Sequence, residues 1–150
     1  MAAEAWFYQL ERSSLEAVLP DLLAKCLERG WRALVVASER TILERLDARL
    51  WTFSDASFLA HGLESDPSPH RQPVLLSISG ENLNGAKALV LVDGAEGPAI
   101  EGFERTLVVF DGGEESALRR ARERWSALKA TGASLAYWRQ KEERGWERQA

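Results

Sequence analysis

The sequence predicts an α/β protein, a three-layer sandwich built on a mainly parallel sheet. Three observations predict it. RALVVAS, PVLLSIS, ALVLVD and RTLVVFD are short continuous apolar runs, the pattern of strands covered on both faces. Segments with apolar residues at helical spacing stand between several of them. Alternation of the two kinds of segment favours helices packed on both sides of one sheet.

The first strand is expected at AWFYQL, Ala5 to Leu10, where aromatic residues suit extended backbone. Ser14 is a suitable N-cap for the helix that follows. Leu15, Val18, Leu19, Leu22, Leu23, Cys26 and Leu27 mark its apolar face, and Gly30 stands where a terminating glycine belongs. Pro20 falls early in that helix, where proline is better tolerated. Arg32 to Ser38 forms the next strand. ERTILERLDARLW is then a second helix with Ile42, Leu43, Leu46 and Leu50 on one side.

Trp51 to Gln72 holds both histidines and two prolines and reads as a long, mostly irregular connection. The three remaining apolar strands follow, with short helical turns expected at Asn82 to Ala86 and at Ala99 to Glu104. Glu114 to Thr131 is a long helix closed by Gly132, SLAYWRQ is a final strand, and residues from about 141 to 150 form a charged tail.

At 150 residues the chain fits one domain spanning its whole length. Its 45% hydrophobic and 28% charged content is ordinary for a soluble protein, and no apolar run is long enough to cross a bilayer. A single cysteine, Cys26, rules out an internal disulfide and suits the cytoplasm. The net charge of −4 argues against a general nucleic-acid coat.

Two strands end in acid plus glycine, at Asp93 and at Asp111. In a nucleotide-hydrolysing fold such an aspartate would hold magnesium. No GxxxxGK[ST] loop accompanies them, and GENLNGAK has neither its spacing nor its Ser/Thr, so both Asp-Gly pairs read as turns. His61 and His70 have no cysteine or acidic constellation that would make a zinc site; a hydrogen bond within the loop is expected for the first and solvation for the second. Cys26 falls on an apolar helix face and reads as core. No catalytic residue, metal or cofactor is expected.

The last helix is different. At about 100° per residue, Ala117, Ala121 and Leu128 share a core-facing stripe. Arg122 and Lys129 fall just past it, Arg119 and Ser126 lie further round, and Trp125 stands on the boundary. Composition alone leaves two readings open: a solvated charged face, or a basic-aromatic face that binds an acidic ligand.

Several segments occur together in one order: AWFYQL, LPDLLAKCLERGWRALVVA, LDARLWTFSDASFLAHG, DPSPHRQPVLLS, and ARERWSALKATG with AYWRQ. With them the chain resembles the chi subunit of bacterial DNA polymerase III, LDxxLWTFxDxSFLxHG being the most specific piece. The resemblance implies a Rossmann-like fold without nucleotide motifs. It also implies a non-catalytic adaptor that binds the acidic C-terminal tail of single-stranded DNA-binding protein and ties it to the clamp loader. By position it assigns Arg122 to the tail carboxylate, Trp125 to the aromatic beside it, Lys129 to a nearby cation and Phe58 to the loop aromatic. Ser126 stands where lysine is common in the family. Leu118 stands at another basic position, with Arg119 beside it as a substitute. Trp51 and Phe58 match the apolar patch for the small psi subunit, and the same patch is a conceivable helicase contact. The competing readings are a nucleotide-dependent enzyme using Asp93 or Asp111, and a direct binder of single-stranded DNA through the basic-aromatic helix.

Overall fold

Each continuous apolar run is a buried strand of one eight-stranded sheet. The computed structural model describes residues 3–52, 61–141 and 145–150. In chain order the strands are β1 (Glu4–Leu10), β2 (Ala33–Val36), β3 (His61–Leu63), β4 (Val74–Ser77), β5 (Ala88–Val92), β6 (Arg105–Asp111), β7 (Ser134–Gln140) and β8 (Trp146–Arg148). The helices are α1 (Leu15–Glu28), α2 (Arg40–Thr52) and α3 (Glu115–Ala130). Across the sheet the order is β3-β4-β2-β5-β6-β1-β7-β8, parallel except for the antiparallel β7–β8 pair.

Parallel strands need crossover connections, and the helices stand in three of them: α1 from β1 to β2, α2 from β2 to β3, and α3 from β6 to β7, each passing over at least one intervening strand. Period-two alternation sends successive strand residues to opposite faces. In β5, Ala88, Val90 and Val92 join one core, while Leu89 and Leu91 join the other. The first core receives Leu19 and Leu23 from α1 and Leu43, Leu46 and Leu50 from α2. The second receives Ala117 and Ala121 from α3, with Ile100 and Phe103 from the segment before β6. The expected three layers are therefore present: two helices on one face and one on the other.

Local chemistry explains the element ends. Ser14 Oγ accepts the Ala17 N–H at 3.2 Å, and Gly30 follows α1 at φ 79°. Pro20 lies inside α1 and has no N–H to give the Glu16 carbonyl; Arg49 Nε of α2 donates to that oxygen instead, at 3.2 Å. At the end of β6, Gly112 N–H donates to Leu10 O at 2.7 Å, and a Cβ on Gly112 would meet the same oxygen at 2.7 Å. β1 and β6 approach so closely there that only glycine fits.

Three features differ from the sequence expectation. The long connection contains β3, which pairs with β4, and a 3₁₀ turn at Pro69–Arg71. The charged tail contains β8, paired with β7 from Gln140↔Trp146 to Trp138↔Arg148, so SLAYWRQ is not the last strand. Both added strands are three residues long, too short to show a period; pairing with a formed neighbour creates them. The segment Asn82 to Ala86 is a turn instead of a helical one, closed by Asn82 Oδ1 accepting Ala86 N–H at 2.7 Å. The second expected turn is a 3₁₀ helix at Ile100–Gly102.

Candidate binding face of the third helix

α3 packs over β6 and β7, with Trp125 reaching Phe7 of β1, and it leaves Leu135 and Tyr137 of β7 only partly buried, which creates a ledge at the helix's edge. Ala117 and Ala121 are buried, and their small side chains let the helix sit close to the sheet. Arg124 turns toward the carboxyl ends of the strands. Its guanidinium donates to Ala95 O at 2.9 Å, and burial lowers its pKa against the opposing influence of Glu96.

Trp125 faces the ledge. Its ring stands edge-on to Phe7, with centroids 5.3 Å apart, and to Tyr137, at 5.7 Å. Tyr137 also lies parallel to Phe7 at 6.3 Å and meets Phe110 at 6.0 Å. The four rings make one rigid cluster, since each edge-to-face pair favours a fixed orientation. Leu118, Leu128 and Leu135 extend the same half-buried apolar surface. The Tyr137 hydroxyl donates to Gln9 Oε1.

Arg122, Arg119, Lys129 and Ser126 are exposed on α3. Arg122 acts electrostatically on the Tyr137 phenol: burial raises the phenol pKa, and the Arg122 charge opposes that rise. A guanidinium thus borders the aromatic cluster. Such an arrangement can pair a carboxylate while the ledge takes the apolar group attached to it.

Tyr137 and Leu135 were not among the residues expected here. Their signal was the alternation of SLAYWRQ, which puts Leu135, Tyr137 and Arg139 on one face of β7. Leu118, a departure from the basic pattern, contributes apolar surface to the ledge.

Trp51 lies on the other side of the sheet, in the last turn of α2, and is 57% exposed. Its ring centroid is 4.8 Å from that of His61. The buried His61 ring reaches α2, with Nε2 3.1 Å from Asp47 Oδ1. His70 is exposed as expected. Phe58 lies outside the described residues.

Asp93 stands in the turn after β5, and Asp111 is the last residue of β6, where a turn begins. Ser38 Oγ donates to Asp93 Oδ2 at 3.0 Å, and Asp111 Oδ1 accepts Gly113 N–H at 2.8 Å. Both line a cleft of about 760 Å³ at the carboxyl ends of β1, β5 and β6. GENLNGAK runs from one end of the sheet to the other: Gly80 N–H donates to Ser77 Oγ at the carboxyl end of β4, and Asn84 Nδ2 donates to Ala33 O at 3.1 Å at the start of β2. Among the described residues no helix is long and apolar enough to cross a membrane, and no three His, Cys, Asp or Glu side chains are grouped to hold a metal ion. Cys26 lies in the first core, where burial pushes its thiol pKa up.

Comparison with known proteins bears on the whole chain. Residues 2–136 match the family model described as "DNA polymerase III chi subunit, HolC". The "Probable DNA polymerase III subunit chi" of Rickettsia prowazekii (strain Madrid E) is 28% identical over 104 residues, 65% of this chain and 62% of that protein. The match thus spans less than two thirds of the relative's own length. An eight-stranded, mostly parallel α/β sheet and a family match over most of the sequence lead to one conclusion: the chain belongs to the DNA polymerase III chi-subunit family, whose members are accessory and not catalytic subunits.

Proposed function

We propose that the chain is a non-catalytic replication adaptor, whose α3 ledge binds the acidic C-terminal tail of single-stranded DNA-binding protein and links it to the clamp loader. The observation that carries this reading is Arg122 standing exposed beside the Trp125–Tyr137 ring cluster. The tail's terminal carboxylate pairs with the Arg122 guanidinium, and its terminal apolar side chain lies on Trp125 and Leu118. Lys129 and Arg119 face the acidic residues that precede it. Ser126 supplies no charge, so these two carry the outer contacts. Exposed Trp51 on the opposite face suits the connection to the clamp loader, through psi or an equivalent subunit. Phe58 belongs to the same proposal through the family pattern, at either face.

The test is a fluorescence-anisotropy titration with a labelled acidic peptide ending in a free-carboxylate phenylalanine. Binding in the micromolar range is expected, as for small peptide docking, and it weakens as salt screens the cations. Arg122→Ala should raise Kd more than about tenfold, because a charge-assisted pair is lost. Unchanged affinity in that variant overturns the site. A parallel titration with an oligothymidylate separates this reading from direct DNA binding, which would show the tighter oligonucleotide affinity.

A further inference from the structure

A second concave surface lies on the α1 side of the sheet, away from the ledge. It is a groove of about 360 Å³ between the end of α1 and the face of β6, β1, β7 and the edge strand β8. Trp6, Tyr8, Trp31, Trp138 and Trp146 wall it, so four of the chain's six tryptophans meet at one place. Trp6 and Trp138 have centroids 5.6 Å apart, and Trp146 from β8 stands edge-on to Tyr8 at 5.0 Å. The first core needs none of these four indoles at its centre: each is only partly buried against it.

Charge decides what such a groove accepts. An aromatic cage on its own suits a cation. Here the ring faces already carry cations: Arg105 lies 3.7 Å over Trp6 and 5.3 Å from Trp31, and Arg29 lies 4.7 Å over Trp31. Lys25 also borders the groove. Glu28 lines it and Glu4 pairs with Arg105 at 2.5 Å, which leaves the surround positive in a chain whose total is −4. A positively charged guest is repelled. In addition, the buried Trp138 Nε1 has no hydrogen-bond partner, a donor left for an incoming acceptor.

The groove therefore asks for an apolar group of ring size, a hydrogen-bond acceptor and negative charge. An acidic peptide segment with one aromatic residue supplies all three. A nucleic acid also supplies rings and negative charge, but its charge continues along its whole length, beyond the groove's cations and over a chain whose total is −4, whereas a short peptide segment confines its charge to the groove. A peptide also suits β8, which ends the sheet order and flanks the groove through Trp146. We propose that this tryptophan groove is a second peptide-docking site, which takes an aromatic side chain of an acidic partner segment independently of the α3 ledge.

The probe is a fluorescein-labelled peptide of Asp and Glu with one internal phenylalanine and an amidated C-terminus, which removes the carboxylate the ledge would need. Saturable anisotropy is expected with the intact chain. Replacing the peptide phenylalanine by alanine should abolish it. Arg29→Glu and Trp31→Ala should each weaken binding about tenfold, and Arg122→Ala should leave it unchanged. Arg29→Glu changes an exposed side chain, and its circular-dichroism melt should match that of the parent. Equal binding of the alanine peptide, or indifference to both groove variants, overturns the proposal. So does an oligothymidylate that binds more tightly than the peptide and is lost with Trp31→Ala. Loss with Arg122→Ala alone would return the peptide to the ledge and overturn the second site, leaving the first intact.

Discussion

Trp125 stands edge-on to Phe7 across the helix–sheet boundary, with centroids 5.3 Å apart and ring planes inclined at 73°. Phe7 is fully buried in β1, so a residue at the candidate binding face is anchored directly in the core. Rigidity of the ledge and stability of the fold are therefore coupled at Trp125.

Trp125→Ala should consequently do two things at once. It should destabilise the protein by about 2 kcal/mol, below the full cost of deleting a wholly buried tryptophan, because the ring is half exposed. It should also weaken tail-peptide binding. Trp125→Phe should recover most of the stability. Urea denaturation followed by circular dichroism gives the first quantity and anisotropy the second; a variant of parental stability would contradict the packing described.

Gly112 makes a sharper steric prediction. Its position allows no Cβ, because Leu10 O and Gln9 Cγ both stand 2.7 Å from where one would be. Gly112→Ala should cost about 1–3 kcal/mol, as overpacking against backbone cannot be relieved by a rotamer change. Gly102→Ala, with open space around it, should be far milder. Thermal melts of the pair measure the contrast.

Tyr8 predicts an alkaline limb. Burial pushes its phenol up to about 12, against the lowering influence of Arg105. Below pH 10 the phenol is protonated in both folded and unfolded chains and adds no pH dependence. Above 10 the unfolded chain loses the proton while the folded one keeps it, so stability falls as pH rises from 10 toward 12. Tyr8→Phe should flatten that fall. Chemical denaturation at a series of pH values tests it, and absorbance at an ionised-tyrosine wavelength reports the titration directly.

Glu64 governs the acid side. Burial raises its pKa, but hydrogen bonds from Ser77 and Ser79 and from the backbone of Ser79 and Ile78 outweigh that and lower it. The stabilisation is present while the carboxylate is ionised and is lost as pH falls through its lowered folded value. Glu64→Gln should cost on the order of 1 kcal/mol at neutral pH and give a flatter acid limb. An acid-denaturation series of both proteins reads the difference.

Much of the fold was legible because hydrophobic period reports local environment. Continuous apolar runs such as ALVLV are buried on both faces, and Leu19, Leu23 and Cys26 mark the sheet-facing side of α1. β3 and β8 were not legible. Each is three residues long and is stabilised by pairing with the exposed edge of the adjacent strand, β4 or β7. Cation–π stacking in the tryptophan groove was equally hidden, because Trp6, Arg105 and Trp31 meet only after β1 and β6 pair.

The sequence by itself determined the layer architecture, the helix ends and the order of chemistry along α3, because these follow from residue spacing and short-range backbone bonds. It placed Arg122, Trp125 and Lys129 on one helical face and left that face with two readings. Only the tertiary structure decided what stands beside them. Phe7 and Tyr137 are 118 and 12 positions from Trp125 and become its neighbours when β1 pairs with β7 under α3. The face becomes a ledge because α3 covers β7 only in part and leaves Leu135 and Tyr137 half-buried at its edge.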